Sequence, residues 1–479
     1  MPELVCPLLD AAEQEPDTPA IIAPHRIYSY RKYHEYTGSA AVNLRKHGLG
    51  EGDVLGLAMP TGLPYPLILT ALLRLRATAC PLNTRFPVDY MLRLLELIRC
   101  KDVVVPYGTS FAMTHGRIFS LSPTEIVDES TPLDQPDASV DPHHPAFLIF
   151  TSGSTGTPKA AVLSFNNIYQ NALRANANMP LRPGDRWLLS LPLYHVSGLS
   201  ILIRCIAARA AVVIPGARDD LQTAIHKYGV THLSLVPAQL YRLMQSDDGI
   251  AALRSLTALL IGGAAISEGL LRRAHALGLP IYTTYGLTEM ASQVCTTAPH
   301  DSLDHLLTSG RPLAPDGIRI SPQDEIEVRG ESLFLGYLQN DRLHCPTTAD
   351  GWFATGDLGQ WTDDGYLQVL GRRDNMFIVG GENVQPEEVE HALRKVEGVR
   401  DAVVVPAADD EFGTIPVAFL QMDNPLPDND TLRSRVLPLL PRHKVPRYFF
   451  AWPDDLDGKG LKVQRASLVA RAQELLGGS

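Results

Sequence analysis

Short apolar runs alternate with helix-like stretches along most of the chain. The apolar runs include Asp53–Met59, Trp187–Leu191 and Val230–Val236, whereas Tyr65–Leu75 and Gln239–Met244 have the composition and spacing of helices. This alternation is typical of layered α/β structure, in which strands form buried sheets and helices cover their faces. We therefore predict that the large N-terminal part of the chain consists of layered α/β subdomains.

The pattern changes towards the C-terminus. A charged turn leads to a helix signal that opens at Pro386, where proline and the two following glutamates suit the first turn of a helix. The runs Ala402–Pro406 and Pro416–Met422 then have the pattern of strands in a small α+β unit. We predict an N-terminal domain over residues 1–371 and a small, mobile C-terminal domain over residues 372–479.

Composition places the chain among globular proteins. With 479 residues, of which 45% are apolar and 20% charged, it is long enough for more than one hydrophobic core. The formal net charge of −11 gives nucleic acid or an anionic membrane no attraction to the protein as a whole. The six cysteines are scattered and the N-terminus lacks a secretory leader, so we expect reduced thiols and a soluble, cytoplasmic protein. The sequence leaves a homo-oligomer open.

The most distinctive segment runs from Phe150 to Lys159, with the sequence FTSGSTGTPK. It follows an apolar strand signal and gathers hydroxyls and glycines where backbone amides can surround phosphate oxygens. It lacks the GK[ST] ending of a Walker A loop, and on composition alone a flexible surface turn is an equal alternative. The full string resembles the phosphate loop of the acyl-adenylate-forming superfamily, which includes acyl-CoA synthetases, luciferases and peptide-synthetase adenylation domains.

Four further segments match motifs of that superfamily in the same order. The ATP-binding residues that these matches imply are Thr151, Ser152, Gly153, Ser154, Thr155, Gly156, Lys159, Gly262, Gly263, Ala264, Tyr285, Gly286, Asp357 and Arg372. By resemblance, Tyr285 stacks on adenine, while Asp357 and Arg372 hold the ribose. Thr288 is expected to contact the α-phosphate and Glu289 to hold Mg²⁺. Taken singly, either carboxylate is more often a solvated or turn-forming residue; five ordered matches favour the nucleotide site.

The chemistry of adenylation explains why cations are needed. Attack of a carboxylate on the α-phosphorus builds negative charge in an already anionic site, so positive groups must be positioned beforehand. In the superfamily a lysine near the C-terminus meets this need; Lys462 fits the spacing to Arg465, and Lys459 is the alternative. The resemblance also implies a rotation of the C-terminal domain before thioester formation, with Asp374 as the hinge and Gly381 beside the coenzyme A tunnel.

The pocket for the acid depends on fewer residues. His195, in the segment PLYHVSG, matches a gating position near the reacting carboxylate, and with Lys462 and Thr288 it forms the expected catalytic set. Arg204 interrupts an otherwise apolar helix, and a buried guanidinium needs a partner. That partner is either an internal carboxylate or a second carboxylate on the substrate. The expected acid-binding residues are His195, Arg204 and Ser234.

These segments, together with the run GRRDNMFIVGGENVQPEEVE, resemble the o-succinylbenzoate–CoA ligases of menaquinone biosynthesis. The resemblance implies an enzyme that uses ATP, Mg²⁺ and coenzyme A to convert a carboxylic acid into its thioester through an acyl-adenylate. The acid would carry an aliphatic carboxylate to be activated and an aromatic carboxylate to be recognised. A fatty or aryl acid–CoA ligase is the alternative if Arg204 has an internal carboxylate partner. A non-enzymatic nucleotide sensor is a third reading.

Overall fold

A computed structural model of the chain describes residues 4–106, 117–120, 139–151, 158–264, 266–339, 342–379, 382–409, 413–453 and 465–477. Its strands, in chain order, are β1 (Leu4–Val5), β2 (Pro19–Ala23), β3 (Arg26–Ser29), β4 (Val54–Leu57), β5 (Thr78–Pro81), β6 (Asp102–Val105), β7 (Arg117–Ser120), β8 (Ser139–Val140), β9 (Pro145–Thr151), β10 (Lys159–Ser164), β11 (Arg186–Leu188), β12 (Ala211–Val213), β13 (His232–Leu235), β14 (Ala258–Ile261), β15 (Ile281–Leu287), β16 (Ser292–Thr296), β17 (Arg311–Pro312), β18 (Ile318–Ile320), β19 (Glu325–Val328), β20 (Gly336–Gln339), β21 (Arg342–His344), β22 (Phe353–Trp361), β23 (Leu367–Arg372), β24 (Phe377–Val379), β25 (Glu382–Val384), β26 (Val399–Asp409), β27 (Gly413–Met422) and β28 (Tyr448–Ala451).

The α-helices of the described residues are α1 (Pro7–Gln14), α2 (Tyr30–Lys46), α3 (Pro64–Arg74), α4 (Val88–Leu97), α5 (Phe165–Asn178), α6 (Val196–Ala208), α7 (Leu221–Tyr228), α8 (Pro237–Leu243), α9 (Asp247–Arg254), α10 (Glu268–Ala276), α11 (Leu303–Leu306), α12 (Pro386–Leu393), α13 (Asn429–Val436) and α14 (Arg465–Gly477). Short 3₁₀ helices cover Thr288–Met290, Pro315–Gly317, Arg373–Asn375 and Arg442–Lys444. The predicted strands near residues 53, 187 and 230 are β4, β11 and β13, and the predicted helices near residues 65 and 239 are α3 and α8. The α/β prediction is confirmed.

One large sheet has eight strands in the order β21–β20–β10–β9–β5–β4–β6–β7. Its parallel half runs from β9 through β5 and β4 to β6 and β7. At the other side β10 pairs antiparallel with both β9 and β20. Residues 152–157 connect β9 to β10, and β10 lies between β9 and β20, a strand from much later in the chain.

A second large sheet has nine strands in the order β17–β16–β15–β14–β13–β11–β12–β2–β3. Its central strands are parallel, and the register aligns Leu235 with Ile261 and Ile261 with Thr283. The carboxyl ends of β13 and β14 and the corresponding part of β15 therefore meet at one edge. Ligands of open α/β sheets bind outside that edge.

Helix α5 starts at a reciprocal cap. The hydroxyl of Ser164 accepts a hydrogen bond from the backbone N–H of Asn167 at 3.2 Å, and the Asn167 side chain accepts one from the backbone N–H of Ser164 at 2.8 Å. Such a box satisfies two amides that the first helical turn leaves without intrahelical partners. It fixes α5 directly after β10, so the helix that packs on α6 is tied to the strand that follows the loop.

A smaller antiparallel sheet of four strands, β18–β19–β22–β23, completes the N-terminal part of the chain. In this sheet Asp357 lies directly opposite Arg372 on the neighbouring strand. The predicted boundary between residues 371 and 372 falls within β23, at its last residue. The position of the domain boundary stays a prediction.

The C-terminal part contains the predicted small α+β unit. Helix α12 and the three strands β26, β27 and β28 appear where the sequence indicates a helix and strands. The apolar residues of the helix signal are all buried, and they are Val389, Ala392, Leu393 and Val396. The sheet packs against α12 on one face and α14 on the other, so this part has its own core.

The six cysteines are unpaired thiols. Five of them are buried and Cys345 is half-buried, so most of them lie in the core. Among the helices of the described residues, none is long and apolar enough to cross a membrane.

Candidate functional site

The edge formed by β13, β14 and β15 carries the residues predicted to surround adenine. A methyl group at Gly262 would lie 2.6 Å from the Thr284 methyl, so only glycine lets the chain leave β14 so close to β15. The next two residues, Gly263 and Ala264, are exposed. Gly286 is equally constrained, because its Cβ would lie 2.1 Å from the Ser292 carbonyl oxygen. The glycines of these motifs therefore leave the backbone without side chains along the open edge of the sheet.

Tyr285, Asp357 and Arg372 form one hydrogen-bonded cluster. The Tyr285 hydroxyl donates to one carboxylate oxygen of Asp357 at 2.6 Å, and the Arg372 guanidinium donates to the other at 3.0 Å. Burial, and then the Asp357 charge, raise the pKa of Tyr285 well above its usual value, so the phenol stays protonated and donates. Three residues from three separate motifs are thus held in one place, as the sequence predicts for a ribose and adenine site.

Arg372 is charged in this setting. Burial works against its charge, but the carboxylates of Asp357 and Asp374 raise the pKa of Arg372 above its usual value. Its N–H groups also reach the Thr355 carbonyl at 3.3 Å and the Asp374 carboxylate at 3.4 Å. The predicted hinge residue is therefore in hydrogen-bond contact with the predicted ribose ligand.

A second cluster contains Glu289, Tyr337 and Lys159. The buried hydroxyl of Tyr337 donates to the Glu289 carboxylate at 2.6 Å. The ammonium nitrogen of Lys159 lies 5.1 Å from the centre of the Tyr337 ring, within the range of a cation–π contact. Glu289 lies on the 3₁₀ helix that directly follows β15, four residues after Tyr285, so one continuous segment carries a residue of each cluster.

The two ends of the predicted phosphate loop meet across the β9–β10 ladder. Thr151 is the direct partner of Lys159, and its hydroxyl donates to the Lys159 carbonyl at 3.5 Å. The residues between them that the sequence assigns to phosphate binding lie outside the described residues; they are Ser152, Gly153, Ser154, Thr155 and Gly156. Thr288 lies in the 3₁₀ helix next to Glu289 and is half-buried.

The described residues contain no group of three or more histidine, cysteine, aspartate or glutamate side chains that could hold a metal ion by themselves. Glu289 is a single carboxylate held by Tyr337, whose ring also lies near the Lys159 ammonium. Mg²⁺ is commonly held by one or two carboxylates together with substrate phosphates and water. The donor set around Glu289 fits a nucleotide-bound Mg²⁺ and not a site built from protein ligands alone.

On the side predicted for the acid, His195 immediately precedes α6. Its ring packs edge-on against Tyr194, with ring centres 4.8 Å apart, and burial lowers the pKa of His195 below its usual value. The imidazole is therefore neutral at neutral pH. Ser234 is buried in β13, and its carbonyl accepts a hydrogen bond from the Ser190 hydroxyl at 2.6 Å.

Neutral groups of the protein surround Arg204. Its side chain is 1% exposed, and within the described part of the chain it forms no ion pair with any carboxylate. It donates instead to the Asn176 side chain at 2.8 Å, to the Gln293 side chain at 2.8 Å, and to two backbone carbonyls of α5 and its C-terminal end at 3.2 Å. Within the described residues, neutral amide and carbonyl oxygens satisfy the guanidinium in place of an internal carboxylate.

An aromatic ring completes the enclosure of Arg204. The guanidinium carbon lies 4.4 Å from the centre of the Trp187 ring, and His232 packs on the same tryptophan at 5.4 Å. Burial lowers the pKa of Arg204 to about 9, so it keeps its charge at neutral pH. In this state the protein itself occupies most of the donors that were expected to face the acid, and an acid-binding role for Arg204 stays a prediction.

Gln293 links Arg204, through further hydrogen bonds, to the sheet edge predicted to bind adenine. Its amide nitrogen donates to the Thr296 hydroxyl at 2.8 Å, and that hydroxyl is 2.9 Å from the hydroxyl of Thr284. Thr284 is the residue before Tyr285 and the one that packs on Gly262. A continuous set of polar contacts therefore runs from the helix predicted to line the acid pocket to the strand predicted to hold adenine.

Sequence reasoning missed Gln293, Asn176 and Tyr337, although one signal was present. Helix α5, FNNIYQNALRANAN, contains five asparagines, which are poor helix formers and favour hydrogen bonds to nearby backbone. In the structure the Asn171 side chain donates to the carbonyls of Met290 and Gln293 at 3.0 and 2.7 Å. The amides of α5 thus tie the helix to the segments around the site.

The C-terminal lysines and the tunnel glycine lie outside the described residues; these are Lys459, Lys462 and Gly381. Arg465, which sets the predicted spacing, is described. Its guanidinium donates to the Glu390 carboxylate at 3.0 Å, to the Glu387 carboxylate at 3.2 Å and to the Val404 carbonyl at 2.6 Å. The arginine of the motif is therefore fixed to α12 and β26.

The hinge residue Asp374 lies in the 3₁₀ helix Arg373–Asn375, which connects β23 to β24. The neighbouring Asn375 side chain donates to the Glu387 carboxylate, and the Gln385 side chain donates to the Arg372 carbonyl at 2.9 Å. The connection between the predicted ribose ligand and α12 is thus made of side-chain hydrogen bonds, which a rotation would have to exchange.

Comparison with known proteins shows similarity over most of the chain. Residues 8–338 match a family described as AMP-binding enzyme, and residues 388–459 match the AMP-binding enzyme C-terminal domain. A 2-succinylbenzoate–CoA ligase of Bacillus licheniformis is 32% identical over 92% of this chain and 94% of its own length.

Two solved structures of o-succinylbenzoate CoA synthetase (MenE) from Bacillus subtilis have the same fold at 27% identity. The complex with the acyl-adenylate intermediate OSB-AMP covers 98% of both chains with a TM-score of 0.86. The complex with ATP and a magnesium ion covers 94% of this chain and 96% of that one, with a TM-score of 0.84.

Proposed function

Because this chain belongs to the AMP-binding enzyme family, we propose that it is an AMP-forming acid–CoA ligase that converts o-succinylbenzoate into o-succinylbenzoyl-CoA through an acyl-adenylate. The observation that carries the proposal is the pair of adjoining clusters built from four distant motifs. Tyr285, Asp357 and Arg372 form one, and Glu289 with Lys159 forms the other. Such a constellation suits ATP and its metal ion.

In this proposal Tyr285 and the backbone at Gly262 receive the adenine, and Asp357 with Arg372 receives the ribose hydroxyls. Asp357 is half-buried and is oriented by two donors, so it is preorganised to accept further hydrogen bonds. Lys159, the loop that precedes it and Thr288 receive the phosphates. Glu289 would hold Mg²⁺, which when bound neutralises charge on the phosphates.

The acid would enter beside α6, with His195 and Ser234 near it. A neutral His195 accepts or donates a single hydrogen bond and does not repel or attract the reacting carboxylate by charge. We place the adenylation lysine at Lys462, with Lys459 as the alternative, and coenzyme A beside Gly381. The domain boundary at residues 371 and 372, the hinge at Asp374 and a cytoplasmic location complete the proposal.

The decisive experiment is ATP–pyrophosphate exchange with a panel of acids that includes o-succinylbenzoate and octanoate. Exchange that depends strongly on o-succinylbenzoate is the expected result. Preference for octanoate or for a plain aryl acid would leave the ligase chemistry standing and replace the acid. Absence of exchange with every acid, while ATP still binds, would favour a nucleotide sensor.

The lysine assignment has its own test. Lys462→Ala should abolish pyrophosphate exchange and leave thioester formation from supplied acyl-adenylate largely intact, since only the first step needs that positive charge. Lys459→Ala is the matched control and should change neither step much. The reverse outcome would move the role to Lys459.

A further inference from the structure

Tyr337 is a buried polar residue at the nucleotide site that none of the sequence motifs includes. It is 7% exposed, and its hydroxyl donates to Glu289 at 2.6 Å. Within the described residues no other side chain donates to the Glu289 carboxylate. The carboxylate expected to hold the metal ion thus depends on one tyrosine for its orientation.

Strand pairing explains how this tyrosine reaches two functional groups at once. Tyr337 lies on β20 directly opposite Ala161 of β10, two residues beyond Lys159. Its ring therefore lies under the Lys159 ammonium, while its hydroxyl faces Glu289. Phe334, just before β20, donates its backbone N–H to the Glu289 carbonyl at 2.8 Å. The same segment fixes both the backbone and the side chain of the glutamate.

We propose that Tyr337 is a positioning residue for the metal-bound triphosphate: its hydroxyl holds Glu289 in place for Mg²⁺, and its ring holds Lys159 towards the phosphates. The inference rests on the proposed function, since it concerns the same ATP site. The two roles belong to different parts of one side chain, so different substitutions separate them. Groups that orient a metal ligand commonly change metal affinity about 10–100-fold when they are removed.

The test is calorimetric titration of ATP with excess Mg²⁺ and, separately, with EDTA. Tyr337→Phe removes the hydroxyl and keeps the ring, so it should weaken ATP binding about 10-fold or more with Mg²⁺ and leave binding in EDTA unchanged. Tyr337→Leu removes the ring as well and should also weaken binding in EDTA, because Lys159 loses its contact.

Tyr366→Phe is the matched control. Tyr366 is buried in the turn between β22 and β23, away from the clusters described above, and its hydroxyl donates to the Asp301 carboxylate at 3.0 Å. This variant should show the wild-type ratio of affinities with and without Mg²⁺. Thermal unfolding of all three variants separates a general loss of folding from a local effect.

Two outcomes would overturn the inference. One is a wild-type Mg²⁺ effect in Tyr337→Phe, and the other is an equal loss of ATP affinity with and without Mg²⁺. Both leave acid-dependent exchange in the wild type untouched, so they are distinguishable from failure of the proposed function. That failure would appear in the wild-type protein itself, as absence of exchange with every acid.

Discussion

The nucleotide side and the acid side of the candidate site differ in the exposure and the partners of their charged side chains. On the nucleotide side, Asp357 accepts hydrogen bonds from Arg372 and Tyr285. Glu289 accepts one from Tyr337, and both carboxylates remain half-buried. On the acid side, Arg204 is enclosed by neutral oxygens and an indole ring. Charged groups that are hydrogen-bonded and partly exposed can bind a ligand reversibly, whereas a fully enclosed cation mainly stabilises the fold.

This difference explains why Arg204 keeps its charge without a carboxylate. Desolvation alone would favour loss of the proton, and it does lower the pKa of the guanidinium to about 9. Four hydrogen-bond acceptors and a stacked ring offset most of that penalty. Arg204 therefore links α5, α6 and β16 through its hydrogen bonds.

The largest expected effect follows from loss of these Arg204 contacts. Arg204→Ala would leave the acceptors on Asn176 and Gln293 without their donor and open a cavity beside Trp187. We expect a loss of about 3–5 kcal/mol in the free energy of unfolding, measured by urea denaturation. Gln293→Ala removes one of these partners and should cost less, about 1–3 kcal/mol.

The same variant also tests the acid-binding role. If Arg204 contacts the aromatic carboxylate, Arg204→Ala should lower kcat/KM for o-succinylbenzoate and not for an analogue without that carboxylate. A stable Arg204→Ala protein with this selective loss would break the comparison drawn above. Equal losses of kcat/KM for both acids, together with reduced stability, would establish that the role of Arg204 is structural.

A smaller effect is expected on the nucleotide side. Asp357→Ala should weaken ATP binding about 10–100-fold, because a hydrogen bond to a charged group contributes about 1.5–3 kcal/mol. Stability should change little, since Asp357 is half-buried and leaves behind an arginine that water can reach. Asp364→Ala, which removes an exposed carboxylate from the same sheet, is the control and should leave ATP binding unchanged. Equal titrations for the two variants would contradict the ribose assignment.

A finer change separates stacking from hydrogen bonding at adenine. Tyr285→Phe removes only the bond to Asp357, so ATP affinity should fall by about 3–10-fold, as expected for a net contribution near 1 kcal/mol. Tyr285→Leu removes the ring and should be worse. If the two variants bind ATP equally well, the ring does not stack on the base.

The smallest expected effect concerns pH. Burial lowers the pKa of His195 from 6.5, so the folded protein takes up this proton only at a more acidic pH than a free imidazole. Any acidic limb of pyrophosphate exchange due to His195 should therefore be centred below pH 6.5. His195→Asn should remove that limb, and the surface variant His305→Asn should retain it. A limb centred above pH 6.5 would contradict a neutral, desolvated imidazole.

Sequence reasoning identified the parts of the candidate site that short segments encode. The glycines beside β14 and the pair Asp357 and Arg372 follow from contiguous motifs whose backbone demands are local. Tyr337 and Gln293 could not be found in this way, because their roles arise from strand pairing and helix packing between distant segments. Arg204 was noticed as a buried charge, but the type of its partner depends on which side chains of α5 face it.

The pairing of β10 with β20 has a consequence for how the molecule folds. Strands β13, β14 and β15 follow one another along the chain with helices between them, so the adenine edge forms from contacts of modest sequence separation. Tyr337 can reach Lys159 only after most of the N-terminal part has been synthesised and a long loop has closed, which makes such pairing slow. Capacity to bind Mg²⁺ with ATP should therefore arise late in refolding, after a nucleoside-binding edge already exists.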